Sequence, residues 1–222
     1  MPPADRRTRE NAAVAGRILD AARALFAKEG VDAVTMRKIA AAIDYTPAAL
    51  YVHFRDKDAL IRALCRNDFG ALAAQMARLN RVADPVERIR KMGRAYIRFA
   101  ADHPSHYRVM FMTPLDHIEP EAQDLADMGD PEKDGYAAFV AAIEQALHAG
   151  LFHPYLTDAG LIAQTMWAGL HGVVTLHITH ENDPWVDLRP LATRARVMLD
   201  TLLEGMTRKA DETVPTTTRS KP

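Results

Sequence analysis

The chain has 222 residues, enough to bury a core in one large or two small domains. Hydrophobic residues make up 48 % of it, yet no stretch approaches the eighteen or so apolar residues of a membrane span. A single cysteine, Cys65, excludes an internal disulfide framework and any zinc site built from several thiolates. The opening MPPADRRTREN carries charge but no apolar signal-peptide core, so the chain reads as soluble and cytoplasmic. The formal net charge of −1 hides an uneven distribution, because residues 1–110 hold 20 Lys and Arg against 12 Asp and Glu, whereas residues 111–222 hold 8 against 17. Such asymmetry suggests that one end faces phosphate and the other faces solvent or small molecules. Much of the positive excess lies in residues 62–108, so the asymmetry supports nucleic-acid binding without locating it.

In chain order, residues 1–10 read as a short flexible arm whose Arg6, Arg7 and Arg9 can touch phosphate. The spacing of Val14, Ile18, Ala21, Ala22, Leu25 and Phe26 predicts a helix from Asn11 to Lys28, stopped by Gly30. Thr35 caps a short helix with Met36, Ile39, Ala40 and Ile43 on one apolar face. Asp44 and Tyr45 make a break, and Asp tolerates a tight helix exit. Thr46 then caps a second short helix opened by Pro47 and running through Ala48–Phe54, with Leu50 and Phe54 packing inward while Tyr51 and His53 project elsewhere. Two short helices joined by such a turn can lay one of them in a major groove.

A longer helix is predicted from Asp56-Lys57 to Leu79, and another from the cap-and-proline pair Asp84-Pro85 to just before Pro104, carrying Ile89, Met92, Tyr96 and Phe99 inward. A short helix through His106–Phe111 follows, then a proline-rich acidic loop over 113–131 with one weak helix. Asp130-Pro131 repeats the start signal for a helix ending at Ala149-Gly150. Thr157 or Asp158 opens a helix to Ile178, a polar connection spans 181–190, and a last helix runs from near Leu188 or Pro190 to Lys209. DETVPTTTRSKP reads as a disordered tail. There is no useful strand-period alternation. The expectation is an all-α chain: a three-helix helix-turn-helix domain over 1–60, a larger helical domain over 61–209, and a tail over 210–222. No nucleophile–base spacing, phosphate loop or H-E-x-x-H pattern is present, which argues against an enzyme.

Ile18-Leu19-Asp20-Ala21-Ala22-Arg23-Ala24-Leu25-Phe26-Ala27-Lys28-Glu29-Gly30, then Thr35, Ile39-Ala40, Leu50-Tyr51-x-His53-Phe54 and Lys57-Asp58-Ala59-Leu60 follow in an order and spacing that resemble the TetR/AcrR family of bacterial transcription regulators. The chain departs from that pattern at Asp44, where the family usually has glycine, and at Tyr45, where it usually has a small aliphatic residue. The resemblance implies that Thr46, Pro47 and Ala48 sit deepest in the major groove, that Tyr51, His53 and Lys57 hold the DNA backbone, and that Thr35 adds a hydroxyl or N–H contact. Arg37, beside the helix start, is the best local candidate for a guanine edge or a phosphate.

Family members pair this head with a larger helical domain that dimerises and often holds a ligand. Residues 103–111 and 166–173 resemble the subset whose C-terminal domain is named for a Trp-His-Gly signature, here Trp167, His171 and Gly172. Aromatic and methionine side chains suit a plastic apolar cavity, which nominates Tyr96, Phe99, His103, Tyr107, Met110, Phe111, Phe139, Met166, Trp167 and His171 as a pocket for a largely apolar small molecule, with ordinary core as the rival reading. Trp167 and His171 are four apart on one helix face, and Gly169 and Gly172 let another helix approach. The histidine pairs 103/106 and 177/180 lack a convincing third ligand, so no metal or other cofactor is expected. Leu191, Val197, Met198, Leu199, Leu202 and Leu203 offer a dimer seam, with core packing inside one subunit as the rival reading. Together these imply a homodimeric repressor on palindromic double-stranded DNA, released by a ligand. A regulator answering a metal or a protein, or an activator, is the alternative.

Overall fold

Side-chain caps set most helix starts in this chain. The computed structural model describes residues 3–114 and 117–208, and those residues form ten α-helices and no strand, with one isolated bridge between Phe152 and Thr207. Helix α1 (Pro3–Glu29) reaches back through most of the stretch expected as an arm. Proline is favoured at a first helical position, and nothing after Pro3 breaks the helix until Gly30, which exits at φ +83°. Helices α2 (Met36–Ala42) and α3 (Pro47–Tyr51) start at Thr35 and Thr46, whose hydroxyls accept from the Lys38 and Ala49 N–H groups, each at 3.3 Å. Helix α3 is shorter than expected because the His53 and Phe54 N–H groups both close on the Leu50 carbonyl. Helix α4 (Lys57–Ala77) follows, its Asp56 cap accepting from Ala59 N–H at 2.6 Å.

Helices α5 (Pro85–Asp102), α6 (Pro104–Met112), α7 (Ala122–Asp127), α8 (Gly135–His148), α9 (Ala159–His180) and α10 (Leu191–Met206) complete the order. The α8 start lies beyond the expected Asp130-Pro131. Two aspartates compete there, and Asp134 wins by accepting from the Tyr136 and Ala137 N–H groups, while Asp130 closes a turn through Glu132 N–H. The tail expected over 210–222 lies outside the described residues.

The chain divides into two compact units, one formed by residues up to 78 with 95–138, the other by 79–94 with residues from 139 onward. In the first, Ile18, Ala22 and Phe26 of α1 share a core with Ile39 of α2, Leu50 of α3, Leu60, Ile61 and Leu64 of α4, and Val109 of α6. Beside this core lies a buried ion pair. Asp68 is 2 % exposed and Arg23 8 %. Arg23 donates from Nε to Asp68 Oδ2 at 3.0 Å and from Nη2 to Oδ1 at 2.7 Å, and its Nη1 reaches Asp20 at 2.7 Å. Nearby, Arg66 of α4 donates to Asp124 at 2.7 Å and to Glu121 at 2.9 Å, fastening α7 and holding both carboxyls below the usual range. The Cys65 thiol is pushed up to about 11, first by burial and then by the Asp68 and Asp124 carboxylates.

In the second unit, Ile162, Met166, Leu170 and Val174 of α9 are buried with Leu199 and Leu203 of α10. Gly169 makes this pairing close: a Cβ there would stand 2.8 Å from Leu202 Cδ1 and 3.1 Å from Met198 Sδ. Gly172, expected to serve the same purpose, faces open space in the single chain.

Removing one partner of a buried ion pair leaves an uncompensated charge. Asp68→Ala is therefore expected to cost about 3–5 kcal/mol of unfolding free energy in urea titrations. The double variant Arg23→Met, Asp68→Leu is expected to recover most of that loss, and equal losses in the two proteins would show that the orphaned Arg23 charge is not the source of the cost.

Candidate nucleic-acid interface

The turn between α2 and α3 is built by backbone geometry. The Tyr45 N–H donates to the Ala40 carbonyl at 2.9 Å and the Asp44 N–H to Ala41 at 3.4 Å, a Schellman closure of α2. That closure needs a left-handed residue, and Asp44 supplies it at φ +57°. Aspartate is among the few L-residues that visit this region, which is how the chain dispenses with glycine here. The turn delivers Thr46 to the α3 cap and aims the helix outward.

Leu50 is fully buried and Phe54 nearly so, and these two anchor α3. Its other side is open. Thr46 and Ala48 are exposed, Pro47 is half-buried, and Tyr51 is 52 % exposed, so Tyr51 is not a core aromatic. Val52 stands 82 % exposed and was not singled out from the sequence. The available signal was its phase, two residues from both Leu50 and Phe54 and so opposite their face, where an exposed β-branched residue can meet a thymine methyl. Arg37 and Thr35 are exposed at the start of α2, and Arg37 has no partner among the described residues. Its neighbour Lys38 is engaged, donating to Glu29 at 2.7 Å and to the Ala33 carbonyl at 3.0 Å. Lys57, half-buried, donates to the Val31 carbonyl at 2.6 Å, so it pins the exit of α1 to the start of α4 and keeps two further N–H donors. His53 is half-buried on the same segment.

The residues nominated for a ligand pocket fall into two groups. In the first unit, Tyr96 and Tyr107 are buried with their hydroxyls 2.7 Å apart, and Phe111 packs at 5.8 Å and 4.9 Å from their rings. Phe69, which no sequence signal marks as part of this group, meets Phe111 edge-on at 5.4 Å. Met110 is buried, and Phe99 contacts the rings of His103 and His106 at 5.3 Å and 6.2 Å. His103 is exposed and lines a shallow cleft of about 240 Å³ with Asp20, Arg23, Asp102 and His106. His106 Nδ1 lies 3.0 Å from Asp68 Oδ1, an ion-pair distance without hydrogen-bond alignment. In the second unit Met166 is fully buried, Phe139 half-buried, and Trp167 meets His171 edge-on at 5.9 Å while remaining 39 % exposed. Burial holds His171 below the ordinary imidazole value; burial does the same to His106, aided by Arg23 and His103 and opposed by Asp68. Among the described residues no three metal-ligating side chains converge, and no helix is long and apolar enough to cross a membrane.

A short outward helix on a buried anchor, capped by threonine and flanked by an unpaired arginine, defines a DNA-binding transcription regulator of the helix-turn-helix class. The sequence model described as "Bacterial regulatory proteins, tetR family" matches residues 18–64, and that described as "Tetracyclin repressor-like, C-terminal domain" matches 89–202, just over half the chain. The chain belongs to the TetR family. The repressor KstR2 of Mycobacterium tuberculosis is 29 % identical over 166 residues, 70 % of this chain and 78 % of that protein. The repressor Rv1474c of the same organism is 48 % identical over 61 residues, so this chain spans only a third of its length (33 %) and 28 % of its own. In fold, the TetR family regulator PfmR of Thermus thermophilus superposes with a TM-score of 0.69 at 22 % identity, covering 85 % of this chain and 97 % of that one. These relatives are transcriptional regulators by name.

Because His106 titrates below its unfolded value of 6.5, the unfolded chain binds the proton more readily. Stability is therefore complete above about pH 6.5 and falls as pH drops through the depressed folded value. Thermal melts between pH 7.5 and 5 are expected to show this decline, with a smaller one in His106→Gln. An identical pH dependence in that variant would exclude His106 as the cause.

Proposed function

We propose that this chain is a cytoplasmic, homodimeric repressor that holds a palindromic double-stranded operator and leaves it when a small, largely apolar molecule binds. Residues 1–60 form the reading head, residues 61–209 sense the ligand and dimerise, and 210–222 are a tail. The observation that carries the reading is the exposed side of α3, where Thr46, Ala48, Tyr51 and Val52 stand out from the Leu50/Phe54 anchor. Thr46, Pro47 and Ala48 enter the groove; Thr35, Arg37, Tyr51, His53 and Lys57 hold it.

Dimerisation is supported by a stripe of small and apolar residues on the open side of α9, namely Leu161, Thr165, Ala168, Gly172 and Leu176, with Val197 exposed on α10. Of the seam residues expected from sequence, Leu199 and Leu203 are instead buried within the subunit. A two-fold pair of heads reads two half-sites about one helical turn apart. Ligand release is a population shift: a molecule with differential affinity favours a head spacing that no longer fits successive grooves. The relative KstR2 is described as a ketosteroid transcriptional regulator, and the Tyr96, Phe99, Tyr107, Met110 and Phe111 group suits a similarly apolar effector body.

Selection from random duplex DNA is expected to recover a palindrome that a Tyr51→Ala, Lys57→Ala double variant binds at least roughly tenfold more weakly, since each residue removes a charge-assisted or hydroxyl contact. No enriched sequence at low salt would sink the reading. Leu176→Glu with Val197→Glu changes only surface positions of the single chain, and light scattering is expected to report a monomer with lost operator binding. A dimer that persists would place the seam elsewhere.

A further inference from the structure

Arg17 lies on the exposed side of α1, one residue before the buried Ile18. Its guanidinium carbon stands 5.3 Å from the centre of the Tyr45 ring, and its Nη2 donates to the Ile43 carbonyl at 3.5 Å. Ile43 and Tyr45 flank Asp44, the left-handed residue of the turn that delivers Thr46 to the cap of α3. A residue 26 positions away in the sequence is thus tied to the turn that aims the reading helix.

Other cations of these helices are committed, apart from Arg37 at the start of α2. Arg23 is buried on Asp68, Lys38 holds Glu29, Arg55 holds Asp56 at 2.9 Å, and Lys57 donates to Val31. Arg17 has no carboxylate partner among the described residues. Guanidinium offers five N–H donors, and stacking on an aromatic face leaves its donor edge free while fixing its plane. A flexible surface arginine loses rotamer freedom on binding an anion; one held over a ring has lost part of that freedom already. The free edge complements a singly charged oxyanion lying beside the turn, and a DNA phosphodiester is the oxyanion that a helix entering the groove brings there.

We infer that Arg17 is a backbone-phosphate contact of the operator complex and that Tyr45 is its positioning residue. The inference rests on the DNA-reading function proposed above and adds to it a contact outside the helix-turn-helix. It also gives a purpose to the aromatic residue at position 45, where a small aliphatic one would leave the guanidinium unsupported.

The test is anisotropy titration of the full chain against its selected operator and a scrambled duplex over a range of salt. Arg17→Ala is expected to weaken both duplexes by a similar factor and to flatten the slope of log K against log salt by about 0.9 per head, as for one phosphate contact. Arg17→Lys keeps the slope but binds more weakly. Tyr45→Phe behaves as the parent, whereas Tyr45→Val lowers affinity, and adding Arg17→Ala to it costs less than Arg17→Ala alone. A parent-like slope in Arg17→Ala, with an unchanged melting temperature, overturns the inference and leaves Arg17 a cover for the turn. Arg17→Gln repeats the slope measurement should the alanine variant melt early. Failure of the parent chain to bind any duplex sinks the DNA reading itself, a result separable from failure of Arg17 alone.

Discussion

Asp68 is a carboxylate almost without access to water, and its burial is tolerable only because Arg23 meets it with two hydrogen bonds. The pair fixes α1 against α4 at one register. That register sets Ile18, Ala22 and Phe26 opposite Leu60, Ile61 and Leu64, and the floor so formed receives Leu50 and Phe54. Only when those two are seated does α3 turn Thr46, Ala48, Tyr51 and Val52 outward. The exposed face of α3 is thus the far side of a core whose alignment an ion pair dictates. His106, at ion-pair distance from the same carboxylate, brings α6 to the junction.

The features legible in the sequence were those whose physics is local. Thr35, Thr46 with Pro47, and Asp56 each cap a helix through a bond to an N–H three residues on, so their meaning is contained in four residues. Trp167 and His171 meet as a four-residue spacing requires. Illegible features depended on partners far along the chain or on competition between equals. Arg23 looked like one polar residue beside an apolar stripe; its partner is 45 residues away. Asp130 and Asp134 both carry a start signal, and only the packing decides between them. Phe69 joined the aromatic group from a helix whose periodicity gave no hint of Phe111. Of the candidate site, the existence of α3 and its Leu50/Phe54 anchor were readable, and the neighbouring contacts, Arg17 over Tyr45 and Lys57 on Val31, were not.

The charge asymmetry also resolves into pairs. The positive excess over 62–108 includes Arg62 and Arg66, which face Glu121 and Asp124 of the acidic half. Those arginines hold the segment before α8 in place and are not available to phosphate. Other arginines of that stretch, Arg78, Arg81, Arg94 and Arg98, stay exposed, as do Arg17 beside the α2–α3 turn and Arg37 at the start of α2. Opposite charges between the halves of the sequence therefore serve in part to fasten helices, as Arg62 and Arg66 do with Glu121 and Asp124.

The lone thiol of the chain has a consequence for the kind of message this protein can receive. With its acid dissociation pushed up to about 11, Cys65 at neutral pH is a thiolate in only about one molecule in ten thousand. Peroxides and electrophiles attack the thiolate, so its suppression slows their reaction with this half-buried sulfur. The chain's one thiol is thereby a poor nucleophile at neutral pH, held so by burial and by the same Asp68 carboxylate that anchors Arg23.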